Sequence, residues 1–223
     1  MVINDQYHFI FVHVPKAAGT SLTTTLRTLP GNEVVTTHPT TKHETVSEWH
    51  ARTSGDARAQ RLRDGALEDY LTFGFVRHPW DRMSSLYHYL RDVRPREEID
   101  TIRSFADFLE QARDGVAWIR GLHSLRPQGE FFAGAPTRRL FIGHFEHLTD
   151  DFAAVAAATG IDVPVPHANA SAHRGRDYRT DYTPALADIV STLFAADIAR
   201  FQYRFDERRP LMRANRHALT FYT

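Results

Sequence analysis

Lys16, Gly19, Thr20 and Ser21 stand close together in Pro15-Lys16-Ala17-Ala18-Gly19-Thr20-Ser21, and their types suit the binding of an anion. Lys16 brings a full positive charge, Thr20 and Ser21 bring hydroxyl donors, and Gly19 lets an anion approach the backbone closely. If this stretch joins a strand to a helix, the helix's first N–H groups add partial positive charge at the same point. Arg77 and Ser85 form a second group. An arginine makes planar, paired contacts to phosphate oxygens. Ser85 follows about two helical turns later, so both side chains can converge on one phosphate. Asp81 and Glu68 are the carboxylates that would otherwise engage Arg77, leaving Ser85 on a plain helix surface.

The first stretch differs from the nucleotide-kinase loop G-x-x-x-x-G-K-[ST], in which the lysine follows the second glycine and the next hydroxyl holds magnesium. Here Lys16 precedes Gly19 and is followed by Ala17, so the usual magnesium ligand is missing. A P-loop phosphotransferase, whose γ-phosphoryl chemistry leans on that metal, is the alternative that Ala17 argues against. A non-catalytic nucleotide-binding module of the same fold is another.

The surrounding sequence supplies the elements. Residues 7–14 are aromatic and β-branched and predict a buried strand. Leu22, Leu26 and Leu29 recur at helical spacing until Pro30-Gly31. Residues 31–70 are polar and predict loops with one or two helices. A second strand is expected over 71–76, and Pro79 opens a helix carrying Met83, Leu86, Tyr87 and Leu90. An amphipathic helix is expected over 104–113 and a third strand over 138–145. Asp150 and Asp151 suit the start of an Ala-rich helix that Gly160 ends. After a loop over 164–183, Pro184 starts a last helix reaching Ile198. Strands alternating with helices predict an α/β fold, P-loop-like and three-layered, with a central parallel sheet flanked by helices, as a single domain over 1–223.

Composition removes several classes. Lys+Arg and Asp+Glu both total 27, so the basic excess of a nucleic-acid binder is absent. With no cysteine, disulfides, thiolate zinc sites and cysteine nucleophiles are excluded. The chain has 13 histidines but no H-E-x-x-H or other paired ligand pattern, so no metal is expected. The apolar run from Phe9 to Val14 lacks the flanks of a signal peptide, and no stretch approaches the ~18 apolar residues of a membrane span. A cytoplasmic protein fits these features. Asn169-Ala170-Ser171 matches a glycosylation sequon, read as coincidence without an export signal.

Taken together, HVPKAAGTSL and FVRHPWDRMSSLY resemble the carbohydrate sulfotransferase family, the branch with heparan and chondroitin sulfotransferases and many bacterial enzymes. RLFIGHFEHLTDDF resembles that family's later strand and helix, and PHANASAH with Tyr182-Thr183-Pro184 resembles its C-terminal loop and last helix. The resemblance implies that 3'-phosphoadenosine 5'-phosphosulfate (PAPS) is the sulfuryl donor, without a metal. It places the 5'-phosphosulfate on Lys16, Ala18, Gly19, Thr20 and Ser21, and the 3'-phosphate on Arg77 and Ser85. Lys16 would stabilise charge on the bridging oxygen, and transfer would run in line with no covalent enzyme intermediate. The acceptor would be a hydroxyl, tilted by the family toward a saccharide or glycolipid. Many eukaryotic relatives carry a membrane anchor and disulfides, which this chain lacks, implying a soluble, bacterial-type member. His78 stands where relatives often have Asp or Asn.

The acceptor hydroxyl needs a base. Lys42-His43-Glu44 resembles a segment that precedes the second motif in the family, which favours His43, with Glu44 and His38 as alternatives. The basic stretch 171–179, with Arg174, Arg176 and Arg179, would fold over the nucleotide and reach the 3'-phosphate, or else stay a solvated loop. Trp49, Trp118, Phe131 and Phe132 would stack on a sugar or pack in the core.

Overall fold

Runs such as Phe9-Ile10-Phe11-Val12 and Leu71 to Val76 are apolar on both faces, which suits strands covered on both sides. A computed structural model describes residues 1–36, 38, 41–93, 97–164 and 177–207. In chain order the elements are β1 (Val2–Asn4), β2 (Phe9–Val12), α1 (Gly19–Leu26), β3 (Asn32–Val35), α2 (Val46–Arg52), α3 (Ala57–Arg63), β4 (Leu71–Val76), α4 (Pro79–Asp92), α5 (Phe105–Arg113), α6 (Ala117–Arg120), β5 (Leu140–His144), α7 (Leu148–Thr159), α8 (Pro184–Leu193) and α9 (Ala195–Phe201). They fall into two compact units.

The first unit holds the described residues of 1–76 and 128–164. Its five-stranded sheet has the order β3-β1-β2-β4-β5. β2, β4 and β5 are parallel, with Phe11 opposite Phe73 and Phe73 opposite Phe141, so three buried rings lie at one level. α7 packs on β4 and β5. It begins with Asp150 and Asp151 in its first turn and ends at Gly160, whose φ of 74° is the left-handed cap a glycine adopts without strain.

One expectation is corrected here. The sheet is mixed rather than parallel, because β1 runs antiparallel to both β2 and β3. The cause is local: only residues 5–8 join β1 to β2, and so short a link can connect antiparallel strands but not parallel ones.

The second unit holds the described residues of 77–127 and 177–207. α4 starts with Pro79 at its first turn and buries Trp80, Met83, Leu86, Tyr87 and Leu90. Trp80 Nε1 donates to the Ala187 carbonyl of α8 at 3.0 Å, and α5 packs against α8. Ser104 and Thr183 cap α5 and α8 through their hydroxyls. The expected single last helix is two, broken at Phe194 with φ −120° and ψ 29°. No helix among the described residues is long and apolar enough to cross a membrane.

Candidate functional site

β2 ends at Val12, and buried His13 and Val14 lead into the turn at 15–18. Lys16 (φ 66°) and Ala18 (φ 61°) both adopt the left-handed conformation although neither is glycine, while Ala17 between them does not. Such a conformation costs roughly 1–2 kcal/mol per non-glycine residue and persists where the surroundings enforce it. Alternating hand turns successive N–H groups toward one side, the geometry of an anion-binding nest. α1 begins at Gly19 behind Ala18, whose side chain cannot cap it. Ser21 Oγ is buried and has no hydrogen-bond partner among the described residues. A buried hydroxyl left unpaired costs about 1–3 kcal/mol, which an incoming anionic oxygen would remove. Residues 16–21 therefore suit a phosphate-bearing group.

His13 sets the shape of this turn. A Cβ added to Gly19 would fall 2.0 Å from His13 Cδ2 and 2.2 Å from its Nε2, so only glycine lets α1 begin against the ring. Thr23 Oγ1 of α1 lies 3.3 Å from His13 Nδ1. Burial, then the nearby His43, the N-terminal amine and Lys42, holds the His13 pKa well below the usual histidine range, so the ring is neutral at neutral pH.

His43 also packs on His13, with the two rings nearly perpendicular and their centroids 4.6 Å apart. Local sequence fixes that approach. Thr45 and Glu48 form a reciprocal capping box at the start of α2, with Thr45 Oγ1 accepting from Glu48 N–H at 3.0 Å and Glu48 Oε2 accepting from Thr45 N–H at 2.9 Å. Glu44 accepts from Arg52 Nε at 2.8 Å and Nη2 at 3.0 Å, so both its oxygens are engaged. His38 is exposed. Of the three candidate bases, the structure brings His43 against His13, ties Glu44 to an arginine and leaves His38 at the surface.

In the second unit, Arg77 precedes α4 and its Nε donates to Asp81 Oδ2 at 2.8 Å. Of the two carboxylates named above, Asp81 is thus the one that engages it. Ser85 is half-buried one turn beyond Asp81, on the same face of α4. His78, buried at the N-cap, lies 2.9 Å through Nε2 from the Arg204 carbonyl and 3.1 Å from Tyr178 Oη, which itself donates to the Phe205 carbonyl at 2.6 Å. A carbonyl can only accept, so Nε2 carries the proton. His78 thereby ties the start of α4, next to Arg77, to residues 204–205.

Arg82 was not among the sequence candidates. It is fully buried, donates through Nη1 to the Arg126 carbonyl at 3.2 Å, and lies 5.7 Å from the Phe194 ring centre. Burial lowers its pKa to about 10, against the pull of Asp197, so it stays charged at neutral pH. Its position four residues before Leu86 and eight before Leu90 was the available signal, since helical spacing puts it on the apolar stripe.

Arg174 and Arg176 lie outside the described residues. Arg179 is paired locally, Nε to Asp177 Oδ1 at 2.9 Å and Nη2 to Oδ2 at 2.6 Å. Trp49, Phe131 and Phe132 are core residues, and Trp118 is half-buried against Phe108. Among the described residues no group of three or more His, Asp or Glu is placed to hold a metal ion.

A mixed five-stranded sheet flanked by helices, with a strand–turn–helix at 9–26, makes this a mixed α/β protein. The profile of the Sulfotransferase family matches residues 1–204, and the chain belongs to that family. It is a sulfotransferase, a transferase that moves a sulfuryl group to a hydroxyl-bearing acceptor. Nothing in this match supports a phosphotransferase. No curated protein and no solved structure matches the chain.

Proposed function

We propose that the chain transfers the sulfuryl group of PAPS to a hydroxyl of a saccharide or glycolipid. The observation that carries the donor assignment is the buried, unpartnered Ser21 Oγ beside the left-handed Lys16 and Ala18. On this reading Lys16, Ala18, Gly19, Thr20 and Ser21 hold the 5'-phosphosulfate, and Arg77 and Ser85 hold the 3'-phosphate. Bound there, the donor supplies an activated sulfuryl group with a phosphate as its leaving group. Lys16 and the first N–H groups of α1 offset negative charge at the leaving oxygen. His43 takes the proton from the acceptor hydroxyl as its oxygen bonds to sulfur, and its place against His13 supports that role. The side chain of Glu44 steadies the base's segment through Arg52 rather than competing for the proton.

Radiolabelled PAPS incubated with the enzyme and a panel of oligosaccharides, glycolipids and phenols tests both halves. Label entering a saccharide class without added metal supports the proposal. Label entering phenols alone would move the acceptor elsewhere, and no labelling beside ATP-dependent phosphorylation would overturn the donor.

A further inference from the structure

Asp81 has the wrong charge for its place. Its carboxylate lies beside Arg77 and one turn before Ser85, where a bound phosphate would be repelled. Both partners are largely covered, with Arg77 exposing 15% of its side chain and Asp81 25%. Asp81 is also the third residue of α4, where the helix dipole favours a negative side chain, so it is a fixed post whether or not a ligand is present. The nitrogen it contacts is Nε, the one next to the aliphatic stem. Holding that nitrogen fixes the plane of the guanidinium, and the terminal nitrogens of a planar fork then point in one direction.

We propose that Asp81 is a positioning residue for the donor's 3'-phosphate: by holding Nε it sets the plane in which Arg77 presents its terminal nitrogens. This rests on the assignment of Arg77 to the 3'-phosphate. Aim, not attraction, is what Asp81 contributes, and an aimed arginine loses less freedom per hydrogen bond on binding.

The test compares adenosine 3',5'-bisphosphate with adenosine 5'-monophosphate, which lacks the 3'-phosphate. Dissociation constants for both are measured on the full chain as wild type, Asp81→Ala, Asp81→Asn and Arg77→Ala. Asp81→Ala should weaken the bisphosphate about tenfold, the scale of a hydrogen bond to a charged group. It should leave the monophosphate within about twofold of wild type, which also reports that the protein is folded. Asp81→Asn, whose amide oxygen still accepts from Nε, should recover most of the loss. Bisphosphate binding as tight as wild type or tighter in both Asp81 variants would overturn the proposal and make Asp81 a mere competitor for Arg77. Equal losses for both nucleotides would overturn it too. If Arg77→Ala fails to weaken the bisphosphate relative to the monophosphate, the assignment of Arg77 falls and this inference with it. That pattern is distinct from an intact Arg77 effect with silent Asp81 variants.

Discussion

Replacing Gly19 with alanine probes the contact between the start of α1 and His13. The new Cβ would sit 2.0 Å from His13 Cδ2, 2.2 Å from Nε2 and 2.7 Å from Cγ. Comfortable carbon contacts need roughly 3.5 Å, so the ring must retreat by about 1.5 Å. It has little room, being buried, hydrogen-bonded to Thr23 and packed on His43. Overpacking of this kind costs about 1–3 kcal/mol, and alanine's better helix propensity returns at most ~0.5–1 kcal/mol. The net loss of about 1–2 kcal/mol should lower Tm by roughly 2–8 °C in a chain this size. Urea denaturation of wild type, Gly19→Ala, His13→Ala and the double variant isolates the cause. With the ring gone, the alanine should cost close to nothing, giving a coupling of about 1 kcal/mol or more. Equal cost of Gly19→Ala with and without His13, or no cost at all, would refute the reasoning.

Ser21→Ala should separate stability from affinity. Removing an unpaired buried hydroxyl leaves the free protein as stable or slightly more so, while nucleotide binding weakens by about 10- to 100-fold; calorimetry that shows both falling together would contradict this. His43→Ala should cut turnover by about 10²–10⁴-fold while leaving nucleotide affinity near wild type, with Glu44→Gln much milder; a fully active His43→Ala enzyme returns the search to the other candidates. Stability should also depend on pH. Burial depresses the pKa of both His13 and His78, whereas an unfolded histidine titrates near about 6.5. Below that value the unfolded chain binds protons that the folded one refuses, so stability is full above about pH 6.5 and falls as the pH drops toward the folded values. The slope approaches ~1.4 kcal/mol per pH unit for each such histidine. Denaturation from pH 8 to 5.5 checks it, with His13→Asn expected to flatten the curve and a flat wild-type curve contradicting it.

The three parallel strands were legible because each is a mostly apolar run that needs cover on both faces, and the helix starts were legible from Pro79, Pro184 and the acidic pair at 150–151. β1 and β3 were not. Val2–Asn4 is too short to show a period, and Asn32–Val35 lies in polar sequence whose strand character comes from pairing with β1. Phe194 looks like one more apolar helix position, and nothing local announces the break that its backbone makes. In the candidate site, the turn at 15–18 was visible as residue types, but its left-handed Lys16 and Ala18 were not, because neither is a glycine. His13 read as the end of a strand; its meaning depends on Gly19 and on His43, thirty residues later in the chain, and only the fold brings that pair together. Asp81 was visible as a partner for Arg77, whereas which nitrogen it takes is a matter of geometry.

Calorimetric titration with adenosine 3',5'-bisphosphate, in the presence of a chelator, tests the donor assignment most directly. Micromolar binding by the wild type that is lost in Arg77→Ala and in Lys16→Met is the predicted result. No binding by the wild type, alongside magnesium-dependent binding of ATP, would contradict it.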